Sequence, residues 1–94
     1  MDKGIDLNET RNKIDGYDRE IIRLIEKRMD AVHKVAEYKI RNGIDIFDGN
    51  RENEVLNKVG SCVENPDHIP FIKEIYKDIM KVSRDYQKKL YDEK

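Results

Sequence analysis

Along the first half of the chain, apolar side chains recur in alternating steps of three and four. Arg11, Ile14, Asp18, Ile21, Ile25, Arg28, Val32, Val35 and Lys39 fall on one line, which is the seam of a long amphipathic helix with charges set into it. Tyr17, Leu24, Ala31 and Tyr38 widen the seam on one side, and Ile22, Met29 and Ala36 on the other. The remaining positions, among them Asn12, Arg19, Glu26, Lys27, His33 and Lys34, are polar, so the register is well determined and His33 is expected to face outward. Asp6 or Asn8 can cap the start, with Glu9 three residues beyond Asp6 as a reciprocal cap requires. The first stop signal is Asn42-Gly43, where glycine can enter the left-handed region. Helix one is therefore predicted over about Asn8 to Asn42.

A second helix is expected after Asp48-Gly49, capped by Asp48, with Val55, Leu56, Val59, Cys62 and Val63 as its apolar stripe. Asn65-Pro66-Asp67 ends it. A third begins near His68, with Pro70 tolerated in its first turn, and carries Ile72, Ile75, Tyr76, Ile79, Tyr86 and Leu90. No strand alternation, internal repeat or low-complexity linker is present. The expectation is an all-α domain spanning residues 1–94, with three helices, one of them very long.

A helix of about 34 residues is about 51 Å long, whereas a compact chain of this size has a radius of gyration of about 12 Å. Helix one cannot fold back into such a globule, and its apolar face needs covering. The economical solution is an intertwined homodimer with the long helices side by side. Composition agrees: 94 residues make one small domain with little spare core, and 41% charged against 37% hydrophobic residues suits long helices with a narrow apolar face.

Net charge is −1, so the bulk balance speaks against nucleic acid and anionic membranes as partners, and any cationic site must be local. The single cysteine, Cys62, excludes an internal disulfide and is expected as a small core residue. The segment Met1 to Asp6 lacks a basic flank followed by an apolar run, so cytoplasmic residence is expected. Gly16, inside helix one, should cost about 1 kcal/mol relative to alanine; close packing is the one account the sequence offers for it.

Arg11, Arg28 and Lys39 occupy positions where a seam would carry leucine, and an unpaired buried charge costs several kcal/mol. Such cations can snorkel to a rim, set register, or pair with Asp18 and with carboxylates of helices two and three. Three cations against one seam carboxylate point at least as strongly to a bound small anion, and one with two carboxylates would match several of them. Arg51 and Glu52 flank the apolar stripe of helix two, and Ser83 and Gln87 interrupt that of helix three one turn apart. Together they suggest a polar pocket within a helical bundle.

With Leu7 to Ile14 (LNETRNKI), Arg28 and Lys39, Asp48-Gly49-Asn50-Arg51-Glu52, and Ser83 with Gln87 in this order, nearly the whole chain resembles the all-helical, AroQ-type (type II) class of chorismate mutases. The resemblance implies an isomerase that rearranges chorismate to prephenate in aromatic amino-acid biosynthesis, with no cofactor and no metal. It implies that Arg28, Lys39 and Arg51 of one subunit, with Arg11 of the other, surround the two carboxylates of chorismate. Lys39 and Gln87 would bond the ether oxygen, Glu52 would orient the ring hydroxyl with help from Asp48, and Ser83 would assist a carboxylate contact. Lys39, Gln87, Arg28 and Glu52 would carry catalysis, while Val35 and Val55 would form apolar walls. Two positions depart from the pattern: Arg84 stands where an apolar wall residue is expected, and Gly49-Asn50 is an unusual helix start.

The chemistry suits the residues. A one-substrate rearrangement needs no nucleophile, and the sequence offers no argued cysteine–histidine pairing and no glycine-rich phosphate loop. Restriction of a flexible side chain and fixed positive charge at the ether oxygen would suffice. Two alternatives remain open at this point: isochorismate–pyruvate lyase on the same scaffold, which Glu52 after Arg51 disfavours, and a non-catalytic helical dimerisation or ligand-sensing module.

Overall fold

The computed structural model describes residues 4–93. Residues 1–3, part of the amino-terminal segment on which the expectation of cytoplasmic residence rests, and residue 94 lie outside the described residues. Among the described residues the fold is all-helical: α1 (Leu7–Asn42), α2 (Gly49–Cys62), a single 3₁₀ turn (Pro66–His68) and α3 (Ile69–Asp92), with no strand. The chain divides into two units, one ending at Ala31 and the other beginning at Val32.

Within the first unit, Asp6 caps α1, its carboxylate accepting from the Glu9 N–H at 3.1 Å, which satisfies one of the free donors of the first turn. The apolar seam that follows is exposed: Ile14, Ile21, Ile25 and Met29 all keep substantial contact with solvent. Gly16 is not explained by packing within the chain, because a Cβ built there would come no nearer than 3.7 Å to the Arg19 guanidinium, an ordinary contact. Gly16→Ala is therefore expected to stabilise the chain by about 1 kcal/mol. Urea denaturation measures it, and a loss of stability would mean that position 16 meets something beyond its own chain.

The second unit begins with the last turns of α1. Gly43 has φ of +61°, and around it the Ile44 N–H donates to the Lys39 carbonyl at 2.9 Å and the Gly43 N–H to the Ile40 carbonyl at 3.5 Å. This is the paired bonding by which a glycine just past the end closes a helix. Asp48 caps α2 as the sequence predicts, accepting from the Arg51 N–H at 3.0 Å. Asn65 starts the 3₁₀ turn by accepting from the Asp67 N–H at 2.9 Å. That turn is not evident in the hydrophobic pattern, since it rests on a local side-chain bond and Pro66.

Ala36 and Met80 are the buried apolar residues of the unit. The stripe of α3 runs through Ile72, Tyr76, Met80, Ser83 and Gln87, and Ile75, expected on it, is exposed. Steps of four and seven from Tyr76 and Gln87 lead to Met80, whereas Ile75 shares a flank with the exposed Val82, seven residues on. Two further expectations are corrected. Cys62 is exposed rather than a core residue, because it lies at the last turn of α2. His33 does not face outward: it is half-buried, its ring 6.3 Å from that of Tyr86 on α3, and its Nδ1 lies 3.0 Å from Glu37.

Candidate active site

Six of the expected site residues, Lys39, Asp48, Arg51, Glu52, Ser83 and Gln87, belong to the second unit. Lys39, in the last turn of α1, is half-buried, and its ammonium donates to the Ile46 carbonyl at 2.6 Å. Its own carbonyl receives the Ile44 N–H. The loop joining α1 to α2 thus holds Lys39 at both ends, and two of the three ammonium donors remain for other acceptors.

Gln87 is the buried polar side chain of α3, 7% exposed. Its Nε2 donates to the Ser83 carbonyl one turn back at 3.3 Å, and its Oε1 is buried without a hydrogen-bond partner. Leaving a buried amide half-satisfied costs about 1–3 kcal/mol, and a 3.3 Å bond is long for an N–H donor. The amide is therefore held in place yet has bonding capacity in reserve. Ser83, half-buried on the same face, donates to the Ile79 carbonyl at 2.8 Å.

Glu52, in the first turn of α2, faces α3. The Arg84 guanidinium reaches both of its oxygens, with Nη1 at 2.5 and 2.6 Å. Arg84 also lies over the Phe47 ring, 5.5 Å from its centroid. Glu52, Arg84, Phe47, Gly49, Leu56 and Met80 line a common hollow. The Arg84 that departs from the expected apolar wall is thus the partner of a predicted site residue.

Arg51 and Asp48 are used differently. Arg51 points away from the Glu52 hollow: its Nη1 pairs with Glu54 at 2.5 Å, and it borders a separate groove with Val55, Val59, Cys62, Ile72 and Tyr76. One residue along a helix turns a side chain by about 100°, which is why neighbours 51 and 52 face different hollows. Asp48 is occupied as the cap of α2. Arg11 and Arg28 belong to the first unit, Arg11 exposed and Arg28 half-buried. Val35 is exposed and Val55 half-buried. Among the described residues no set of His, Cys, Asp and Glu gathers in a way that would hold a metal ion, and no helix is long and apolar enough to cross a membrane.

Comparison with known proteins decides the family. The family model described as chorismate mutase type II matches residues 10–88, most of the chain and all three helices. The chain belongs to the type II chorismate mutases. A relative, the T-protein of Haemophilus influenzae, is 38% identical over 50 residues, which are 53% of this chain and 13% of that protein. The chain thus spans a small part of the length of the curated relative it matches.

Membership in the chorismate mutase family, an isomerase family, gives the predicted residues a common frame, since Arg11, Arg28, Lys39, Asp48, Arg51, Glu52, Ser83 and Gln87 all fall inside the matched stretch. What the sequence does not reveal is the Glu52–Arg84 pair and the tether from Lys39 to Ile46. The partners of the first are 32 positions apart, and the acceptor of the second is a backbone carbonyl with no residue type to announce it. The one signal available is that Arg84 stands on the apolar line of α3 beside Ser83, where a cation demands a partner.

Proposed function

We propose that the chain is a chorismate mutase that rearranges chorismate to prephenate within a homodimer. The observation that carries the reading is the family match across residues 10–88. It is supported by a half-buried Lys39 and a buried Gln87, each fixed by its own helix or loop with donors to spare.

In the reaction the ether carbon–oxygen bond breaks as a carbon–carbon bond forms, within one molecule and with no proton exchanged. Negative charge grows on the ether oxygen on the way to the transition state. Lys39 and Gln87 would donate to that oxygen, and because both are already oriented, little reorganisation is needed when the charge appears. Arg28, Arg51 and Arg11 of the second subunit would hold the two carboxylates, confining the enolpyruvyl side chain over the ring. Glu52 would accept from the ring hydroxyl, Asp48 would secure the start of the helix that carries it, and Ser83 would assist a carboxylate contact. Val35 and Val55 would wall the pocket. No cofactor enters this scheme.

The homodimer rests on the apolar seam of α1. Ile14, Ile21 and Ile25 recur at seam spacing and are exposed in the single chain, as is Val35 further along; a second copy with the same seam would cover them. Cations such as Arg11 on that seam would then enter the partner's site.

Chorismate consumption followed by its ultraviolet absorbance, with product identification, tests the activity. Prephenate is expected; release of pyruvate from isochorismate, with chorismate left intact, would assign the lyase reaction instead, and inertness toward both would leave a binding module. Subunit mixing tests the shared site. Arg11→Ala and Lys39→Ala are each expected to be poorly active, but an equimolar mixture, refolded together, should regain about a quarter of the parent activity, since half the dimers are mixed and each has one intact site. No recovery on mixing would place Arg11 in its own subunit's site or outside the site.

A further inference from the structure

We propose that Arg84 is a positioning residue for Glu52, and that Phe47 and Gly49 exist to seat it; the proposal rests on reading the chain as a chorismate mutase. The two positions that depart from the family pattern, Arg84 and Gly49, are linked through one aromatic ring. A Cβ at position 49 would lie 3.3 Å from Phe47 Cζ, so the bare glycine lets the ring settle against the start of α2. The ring offers its face to the Arg84 guanidinium at 5.5 Å. Arg84 in turn spans from α3 to both carboxylate oxygens of Glu52. Side-chain exposures of 33% for Arg84 and 22% for Glu52 place the pair at the wall of the hollow rather than in bulk solvent.

The consequence for Glu52 is orientation. A carboxylate has about four lone-pair directions, and a guanidinium drawing on both oxygens from one side leaves the opposite directions open to a hydroxyl donor. Without Arg84, the glutamate is a flexible side chain that the ligand must order on binding. A contact to a ring hydroxyl is made alike in the ground state and the transition state, so losing its preorganisation raises KM and leaves kcat nearly unchanged. Lysine replaces arginine only in part here: one nitrogen, Nη1, serves both oxygens, which an ammonium could also do, but a compact, strongly hydrated ammonium is the poorer partner for the face of Phe47.

A kinetic double-mutant cycle tests this. Arg84→Met is expected to raise KM for chorismate about 3- to 10-fold, the cost of ordering one long side chain on binding, with kcat within about twofold, and Arg84→Lys to recover only part of the loss. In a Glu52→Ala background, Arg84→Met should have no further effect on KM, because the acceptor it positions is gone. Phe47→Leu should show a smaller KM rise that also vanishes in that background, and it carries the same cycle if Arg84→Met does not fold. KM effects that multiply, or a lowered Tm with KM untouched, would overturn the positioning role. A parent protein that turns chorismate over but shows such independence sinks this proposal alone, whereas a parent inert toward chorismate sinks the functional reading and this proposal with it.

Discussion

Lys39→Ala is expected to lower kcat for chorismate by about 10²- to 10³-fold, the usual effect of removing one preorganised donor from a growing oxyanion. The structure supplies the reason for so large an effect. Lys39 is half-buried, its ammonium is tied to the Ile46 carbonyl at 2.6 Å, and its backbone carbonyl accepts from Ile44. A charge anchored in this way does not have to be brought into position as the ether oxygen becomes negative. The same tether predicts a modest structural effect, about 1 kcal/mol for the lost hydrogen bond, visible as a small fall in Tm. Measured together, kcat, Tm and association state separate the two. A folded variant of unchanged association state that turns over at near the parent rate would remove Lys39 from the chemistry.

The second large effect concerns pH. Gln87→Glu is expected to be active only in acid, with kcat falling about tenfold per pH unit above the pKa of the introduced carboxyl, while the parent profile stays flat. Gln87 donates through a neutral amide at every ordinary pH. A carboxyl can donate to oxygen only when protonated; ionised, it would set negative charge against an oxygen that is itself gaining electrons. Burial to 7% exposure, with the Ser83 carbonyl beside the atom that replaces Nε2, disfavours the ionised form and should raise that pKa above the usual carboxyl value of about 4.3. The sign for stability follows. A carboxyl whose folded pKa exceeds its unfolded value binds more protons when folded, so the variant loses stability relative to the parent as pH rises from about 4.3 to the folded pKa. Denaturation at acid and neutral pH measures this loss, and a flat kcat profile for the variant would mean that position 87 does not touch the ether oxygen.

The contrast between these residues and the Glu52–Arg84 pair clarifies how the site divides its labour. In the proposed reaction, Lys39 and Gln87 would act on charge that exists only near the transition state, and so on kcat. Glu52, held by Arg84 across from α2 to α3, would in the same proposal recognise a group that does not change during the reaction, and so act on KM. Arg51, although adjacent to Glu52 in sequence, opens onto another groove and pairs with Glu54. Only its Nη1 is spent on Glu54, in an exposed ion pair of about 0–1 kcal/mol, so its other donors could meet a substrate carboxylate at little cost.

Most of the fold was legible in the sequence because local rules decide it. Helix one was expected over about Asn8 to Asn42 and is found over Leu7–Asn42. Asp48, Gly43 and Pro70 act where their chemistry places them: a carboxylate that caps, a residue free to take positive φ, a ring tolerated in a first turn. Such signals are written in three or four neighbouring residues. Candidate site residues were also legible, since cations and amides on an apolar seam violate its pattern and so stand out.

Other features depended on groups distant in sequence. That Met80 rather than Ile75 is buried, and that His33 meets Tyr86, depends on which flank of an amphipathic stripe a neighbouring helix covers, and a helical period alone leaves that flank undetermined by tens of degrees. By itself the sequence determined the helices, their caps and stops, and the polar residues that interrupt their seams, because each is fixed by the chain within a turn or two. Only the tertiary structure decided that Arg84 holds Glu52, that Phe47 rests on Gly49, and that Lys39 is tied to Ile46, because those contacts close over loops and between helices, where the energy of a pair depends on a distance that sequence spacing does not specify.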